Sequence, residues 1–319
     1  MPRSKFQPKP ASHPPRPAPL PTVSGRWLLA AVAIVIPAAA FCAWSVLCLL
    51  FWQGSWQLLY HPSSEVTRTP GSIGLAFDPV GFATTDTGAP RLQGWWIPSG
   101  PSARYTVLYL HGQNGNIVDT LDDLTRLHSA KVNVLAFDYR GYGQSQFVHP
   151  SEARWRQDAD WALQYLTGTR HIDPHTIVLD GSALGANLAL EVAATHPELA
   201  GVVLESPLDA PVNAIFSDPR AHLVPARLLV GDRFDTKSSA KTLQVPSLWF
   251  YRTWAPGILG MQEKPEAFQM VTSARNLVWL TANRDRNADF SNLFSRWLSD
   301  LPNRGSDFPP CQFDDGFVC

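Results

Sequence analysis

Residues 176–187 read Thr176-Ile177-Val178-Leu179-Asp180-Gly181-Ser182-Ala183-Leu184-Gly185-Ala186-Asn187. An apolar run of strand type over 176–179 breaks at a turn flanked by two glycines, and a helix over 184–196 follows at once. The alternation extends in both directions. Upstream, 91–98 and 105–110 read as strands, the second ending at the turn-rich His111-Gly112-Gln113-Asn114-Gly115-Asn116, and 117–130 has helical spacing. The run 132–137 is nearly all apolar, as a strand buried on both faces requires, and it ends at Asp138-Tyr139-Arg140-Gly141-Tyr142-Gly143. Ser151 is placed to cap the next helix, whose buried stripe is Trp155, Ala159, Ala162, Leu163 and Leu166. Strands at 201–204, 247–251 and 276–280 and a last helix at 289–300 complete the pattern. Strands alternating with helices predict an α/β fold with a doubly wound, mostly parallel sheet. Between 210 and 240 the periodicity is poor and Pro211, Pro219 and Pro225 interrupt it, so this stretch is expected as a small cap insertion over the carboxyl ends of the strands.

The ends of the chain are of another kind. Residues 1–25 carry eight prolines and almost no apolar run, the composition of a disordered tail. Residues 27–52 are 26 positions without a charge, enough for a helix, assigned to 26–53, to cross about 30 Å of hydrocarbon. Trp27, Phe51, Trp52 and Trp56 would sit at headgroup level. A cleaved signal peptide ending near Ala38-Ala39-Ala40 is the competing reading, but the apolar run continues well past that point. Arg3, Lys5, Lys9, Arg16 and Arg26 precede the span, and the first acidic residue is Glu65, so the amino terminus is expected in the cytoplasm and the rest exported, into the periplasm of a bacterial cell. The domain expected over 54–302 is followed by a tail, 303–319, in which Cys311 and Cys319 could close a disulfide loop in an oxidising compartment.

Lys and Arg number 26 against 27 Asp and Glu, a net charge of −1 that offers no basic field for nucleic acid. Twelve Trp and 16 Phe in a chain only 17% charged give a large core to bury. The four cysteines, at 42, 48, 311 and 319, leave the middle of the chain without a thiolate metal site. His171-Ile172-Asp173-Pro174-His175 has metal-like spacing, but Pro174 prevents the helical turn that would align both imidazoles. Neither a phosphate loop nor a dinucleotide fingerprint occurs, so no metal and no cofactor is implied.

Four segments in register resemble the α/β-hydrolase family: Val107-Leu108-Tyr109-Leu110-His111-Gly112, Phe137-Asp138-Tyr139-Arg140-Gly141-Tyr142-Gly143-Gln144-Ser145, Gly181-Ser182-Ala183-Leu184-Gly185-Ala186-Asn187 and Leu204-Glu205-Ser206-Pro207. Gln57-Leu58-Leu59-Tyr60-His61-Pro62 behind an apolar anchor, with Asp232-Arg233-Phe234-Asp235, is similar to the Bem46-like membrane-anchored serine-hydrolase branch, over roughly 56–300. The resemblance implies a strained Gly-x-Ser-x-Gly turn that lifts a serine hydroxyl clear of the sheet. Here the central position is Ala183, and a methyl group attacks nothing. Ser182 lies one residue early. The family's imidazole is expected near Thr281-Ala282-Asn283-Arg284-Asp285-Arg286, yet all nine histidines end at His222. The acid position, Arg252-Thr253-Trp254-Ala255-Pro256-Gly257, holds no carboxylate; Asp209 occupies the alternative one.

The oxyanion loop of the resemblance remains, with His111, Gly112 and Gln113 on one side and the Leu184 amide at a helix amino terminus on the other. Backbone donors need no particular side chain, so this site is expected to take a small carbonyl compound or an anion. His111, Asp138 and Arg140 read as residues that hold loops. Three functions follow as expectations. The first is a membrane-anchored pseudohydrolase that binds a ligand or partner. The second is an active esterase, thioesterase or peptidase using the displaced Ser182 with His111 or His149. The third is an assembly role in which the proline-rich tail docks a partner groove.

Overall fold

A computed structural model describes residues 24–253, 264–281 and 286–301. The expected tails, the Cys311 and Cys319 pair and most of both missing triad positions lie outside these residues. Two compact units divide at Leu47 and Cys48.

Helix α1, Gly25–Gly54, includes Pro37 without ending there. It lies in a span of mean hydropathy 2.4 whose side chains are almost all exposed, and is long and apolar enough to cross a membrane. After a 3₁₀ turn at Ser55–Leu58 come β1 (His61–Pro62), β2 (Asp78–Thr84), β3 (Pro90–Ile97), β4 (Thr106–Leu110) and β5 (Asn114–Gly115). Next are α2 (Leu121–Ser129), β6 (Asn133–Asp138), α3 (Glu152–Gln164), β7 (Ile177–Ser182), α4 (Leu184–Thr195) and β8 (Gly201–Glu205). The insertion holds 3₁₀ turns at Pro211–Ser217 and Pro219–His222, then α5 (Ala226–Leu229) and α6 (Thr236–Thr242). The chain continues through β9 (Ser247–Thr253), α7 (Glu266–Met270), β10 (Arg275–Thr281) and α8 (Arg286–Asp300).

Eight strands form one sheet in the order β10-β9-β8-β7-β4-β6-β3-β2. It is parallel from β10 to β6, while β3 runs antiparallel to β6 and β2 antiparallel to β3. Side chains alternate across it. Val107 and Tyr109 of β4 face a core shared with Phe290, Phe294 and Trp297 of α8, and Leu108 and Leu110 face the opposite core around Trp155, Trp249 and Phe268. Burial on both faces is why the central strands are almost uninterrupted apolar runs. Because β4 lies between β6 and β7, the order of connection reverses there, which opens a crevice at the carboxyl ends of those strands.

Several features depart from the sequence reading, among them the start of α2 and strand β2. Residues 117–130 begin with a 3₁₀ turn, since Asn116 and Asp119 form a capping box before α2 starts at Leu121. Strand β2 was not expected; its pattern is broken by Pro79 and Gly81, which an edge strand tolerates.

Trp155 is buried at the junction of α3, the insertion and the segment after α1. It stacks on Tyr139 at 4.0 Å and meets Tyr60, Tyr142 and Phe234 edge-on. Tyr60 donates from Oη to Asp232 at 2.9 Å, and Asp232 accepts from the Glu152 amide at 3.1 Å. Glu152 in turn accepts from the amides of Arg233 and Phe234. Removing the indole leaves a cavity no neighbour can fill, so Trp155→Ala is expected to lower the unfolding free energy by about 3–5 kcal/mol, read by chemical denaturation.

Candidate functional site

The site is built where β7 turns into α4. Ser182 closes β7, Leu184 opens α4, and Ala183 between them has φ 51° and ψ −118°. A residue with a Cβ held at positive φ costs about 1–3 kcal/mol, so the surrounding packing must impose it. Gly181 and Gly185 show how. A Cβ on Gly181 would stand 2.2 Å from the Gly185 carbonyl oxygen, and one on Gly185 would stand 2.2 Å from that of Leu110. Helix α4 thus crosses β4 and β7 at a distance that only glycine permits. The Ala183 amide donates to the Glu205 carbonyl at 2.8 Å, which ties the turn to β8.

At the tip of this elbow is a methyl group. Ser182 pairs in register with Glu205 and shares the pleat side of Val178 and Asp180, so its side chain leaves the strand away from the tip. No imidazole among the described residues hydrogen-bonds it. Asp209 is exposed, and no histidine among the described residues is bound to it. His149 packs on Trp56 at 4.6 Å, and His61 bonds Asn114 at 3.0 Å.

The loop facing the elbow is held from three directions. Beneath it, Tyr139 and Tyr142 donate from their hydroxyls to the carbonyls of His111 and Gln113 at 3.1 and 2.9 Å. From the side, the segment after α1 pairs with it as β1 against β5, and the His61 amide donates to the Gln113 carbonyl at 2.9 Å. Asn116 donates from Nδ2 to the carbonyls of Ser63 and Glu65 at 3.2 and 2.8 Å. The Leu184 amide at the start of α4 donates to Gln113 Oε1 at 3.3 Å. The side chain of the loop therefore already sits on a donor that the sequence reading left open for a ligand. The Gln113 amide makes no such internal bond among the described residues. The arrangement can bind an acceptor oxygen; it offers no nucleophile at the tip.

His111 is wholly buried between Tyr139 and Tyr142. Its Nδ1 donates to the Gly112 carbonyl at 2.8 Å, which leaves Nε2 as an acceptor 3.6 Å from Asp138 Oδ1. Asp138 accepts from the Ile117 amide at 2.8 Å. Burial pushes the carboxyl up to about 7 and the imidazole down to about 4. His111 is thus a neutral strut under the loop. Arg140 likewise fixes structure, donating from Nε to the buried Asp158 at 2.6 Å.

A second polar cluster escaped the sequence reading. On the α2 and α8 face, Arg126 pairs with Glu205, lies 3.1 Å from Asp123 and stacks on Phe290 at 3.9 Å. Tyr109 donates to Asp123 at 2.7 Å. Asp180 is buried beside them; burial, then the charge of Glu205, holds its carboxyl well above the usual range. These residues are spread over five elements, and no local spacing announces them. Among the described residues no group of three or more ligating side chains could hold a metal ion.

The sheet order, the glycine-flanked elbow and the facing loop define an α/β-hydrolase fold. A family model described as serine aminopeptidase, S33, matches residues 101–247. The chain is 32% identical over 207 residues to the uncharacterized protein Rv2307c of Mycobacterium tuberculosis, spanning 63% of this chain and 69% of that one. It is 30% identical over 158 residues to the alpha/beta hydrolase domain-containing protein WAV2 of Arabidopsis thaliana, 47% of this chain and 50% of that protein. The chain belongs to the α/β-hydrolase superfamily. A Pyrococcus furiosus esterase, PF2001, superposes with a TM-score of 0.55 at 17% identity, over 76% of this chain and 98% of that one, a likeness of fold alone.

Two outcomes follow. Ala183→Gly relieves the positive φ and is expected to raise the unfolding free energy by about 1 kcal/mol, seen as a higher melting temperature. The folded protein keeps a proton on Asp138 that the unfolded chain releases from about pH 4, so this group's contribution is present in acid and lost as pH rises through about 7. His111 acts oppositely: the unfolded chain takes a proton below about pH 6.5 that the buried ring refuses until about 4, so its neutral burial costs stability as pH falls. In Asp138→Asn, with His111 unchanged, urea denaturation is expected to show stability relative to the parent improving steadily between those two limits of Asp138.

Proposed function

We propose that this chain is a Bem46-like, membrane-anchored α/β-hydrolase-fold protein that binds a small carbonyl compound or carboxylate without cleaving it. The observation that carries the reading is the elbow: a strained tip is retained at Ala183 with a methyl where a nucleophile would stand, and no imidazole among the described residues bonds the neighbouring Ser182. The sequence adds that no histidine follows His222, so the region after β10 has no ring to accept a proton. Binding would use the Gln113 and Leu184 amides, with a ligand oxygen replacing Gln113 Oε1. Helix α1 supplies the anchor, and the five cations before its uncharged stretch 27–52 favour a cytoplasmic amino terminus with the domain exported.

A fluorophosphonate probe on the full chain in nanodiscs tests the loss of hydrolysis. No labelling is expected in the parent, and none in Ala183→Ser, because a hydroxyl without its base stays unactivated. Labelling that disappears in Ser182→Ala would overturn the reading. For binding, hexanoate serves as the probe. Gln113→Ala removes an internal competitor worth about 1 kcal/mol, so affinity for hexanoate, followed by thermal shift, is expected to rise roughly five-fold.

A further inference from the structure

Outside α1, the most exposed large apolar side chains among the described residues are Phe147, at 85%, and Leu228, at 81%. They come from separate parts of the chain, a loop after β6 and the insertion, yet chains of contacts link both to the turn that follows α1. The 3₁₀ turn Ser55–Leu58 follows α1 directly and packs against the Pro211–Ser217 segment. On one side, Trp56 of this turn holds the His149 ring, and Phe147 lies 6.4 Å beyond it. On the other, Phe216 of the packed segment carries the Arg227 guanidinium at 5.2 Å, and Leu228 follows. Trp52, one turn before Trp56, is 59% exposed. An apolar arc with a cation is therefore tied through the turn to the end of the helix.

From these contacts we infer that this arc is seated in the surface of the bilayer that α1 crosses, with Phe147 and Leu228 entering the boundary between headgroups and acyl chains. The inference rests on α1 spanning the membrane. The connection between helix and arc is too short to let them part: a 3₁₀ turn of four residues advances only about 8 Å. Side chains ringing such an exit meet the lipid interface or stay in contact with water at its edge, and apolar ones gain by entering. Aromatic rings settle at that depth, and an arginine beside them can reach a lipid phosphate. Because the chain beyond α1 is acidic overall, the seating depends on apolar contact and needs no anionic lipid.

The test uses the full chain in phosphatidylcholine nanodiscs with Cys42, Cys48, Cys311 and Cys319 replaced by Ala. Single spin labels are placed through Phe147→Cys, Leu228→Cys, Val35→Cys within α1 and Asp86→Cys in the exposed turn after β2, each variant first matched to its parent by thermal unfolding. Power saturation compares access of oxygen, which concentrates in lipid, with that of an aqueous nickel chelate. The ratio of oxygen to nickel access at 147 and 228 is expected to lie several-fold above that at 86 and to approach that at 35. If 35 reads as lipid while 147 and 228 read as 86 does, the seating is overturned and the span stands. If 35 also reads as water, the span fails and the seating with it. Protection of 147 and 228 from both agents would mean a protein contact covers them, and would equally overturn the proposal.

Discussion

The crossing of α4 over β4 and β7 is the contact on which the rest of the site depends. Gly185 lies under the carbonyls of Leu110 and His111, and Gly181 under the carbonyl of Gly185, with no room for a methyl at either place. That closeness forces the chain through positive φ at Ala183 and aims the first amide of α4 at the facing loop. A hydrolase needs this geometry to expose a serine. Here the same geometry persists around an alanine, so the strain is kept by packing and serves the position of the Leu184 amide.

What holds the opposite wall is the segment that follows α1. The residues after α1 add a strand to the loop 111–116, donate to Gln113 and accept from Asn116, while Tyr60 ties the same segment to Asp232 in the insertion. Beneath it, neutral His111 and the two tyrosines replace solvent as partners of the loop carbonyls. The segment after α1, the loop and the insertion are thus joined by hydrogen bonds. The polar groups involved are mostly backbone, which is why the loop can keep its form whatever side chain stands at the elbow.

The sheet was legible because its central strands are buried on both faces: runs such as 132–137 and 176–179 admit few other readings. The elbow was legible from Gly181 and Gly185, whose spacing reports a close approach, and the absence of a hydroxyl from Ala183 itself. Strand β2 was hidden, since an edge strand with Pro79 and Gly81 carries little period-two signal. Also hidden was the cluster of Arg126, Glu205, Asp123 and Asp180, joined only by the fold. Gln113 was assigned to the site for its backbone; nothing in the order of residues could tell that its side-chain oxygen reaches Leu184, 71 positions away.

That self-occupied donor turns recognition into a contest. A visitor gains only the difference between its own grip on the Leu184 amide and that of a tethered carboxamide, which never diffuses away. Neutral carbonyl groups, nearly matched to the incumbent, would exchange with it at little advantage. An ionised carboxylate makes the stronger bond and would win. At the proposed site the glutamine would act as a threshold that a free acid passes more readily than a neutral carbonyl compound.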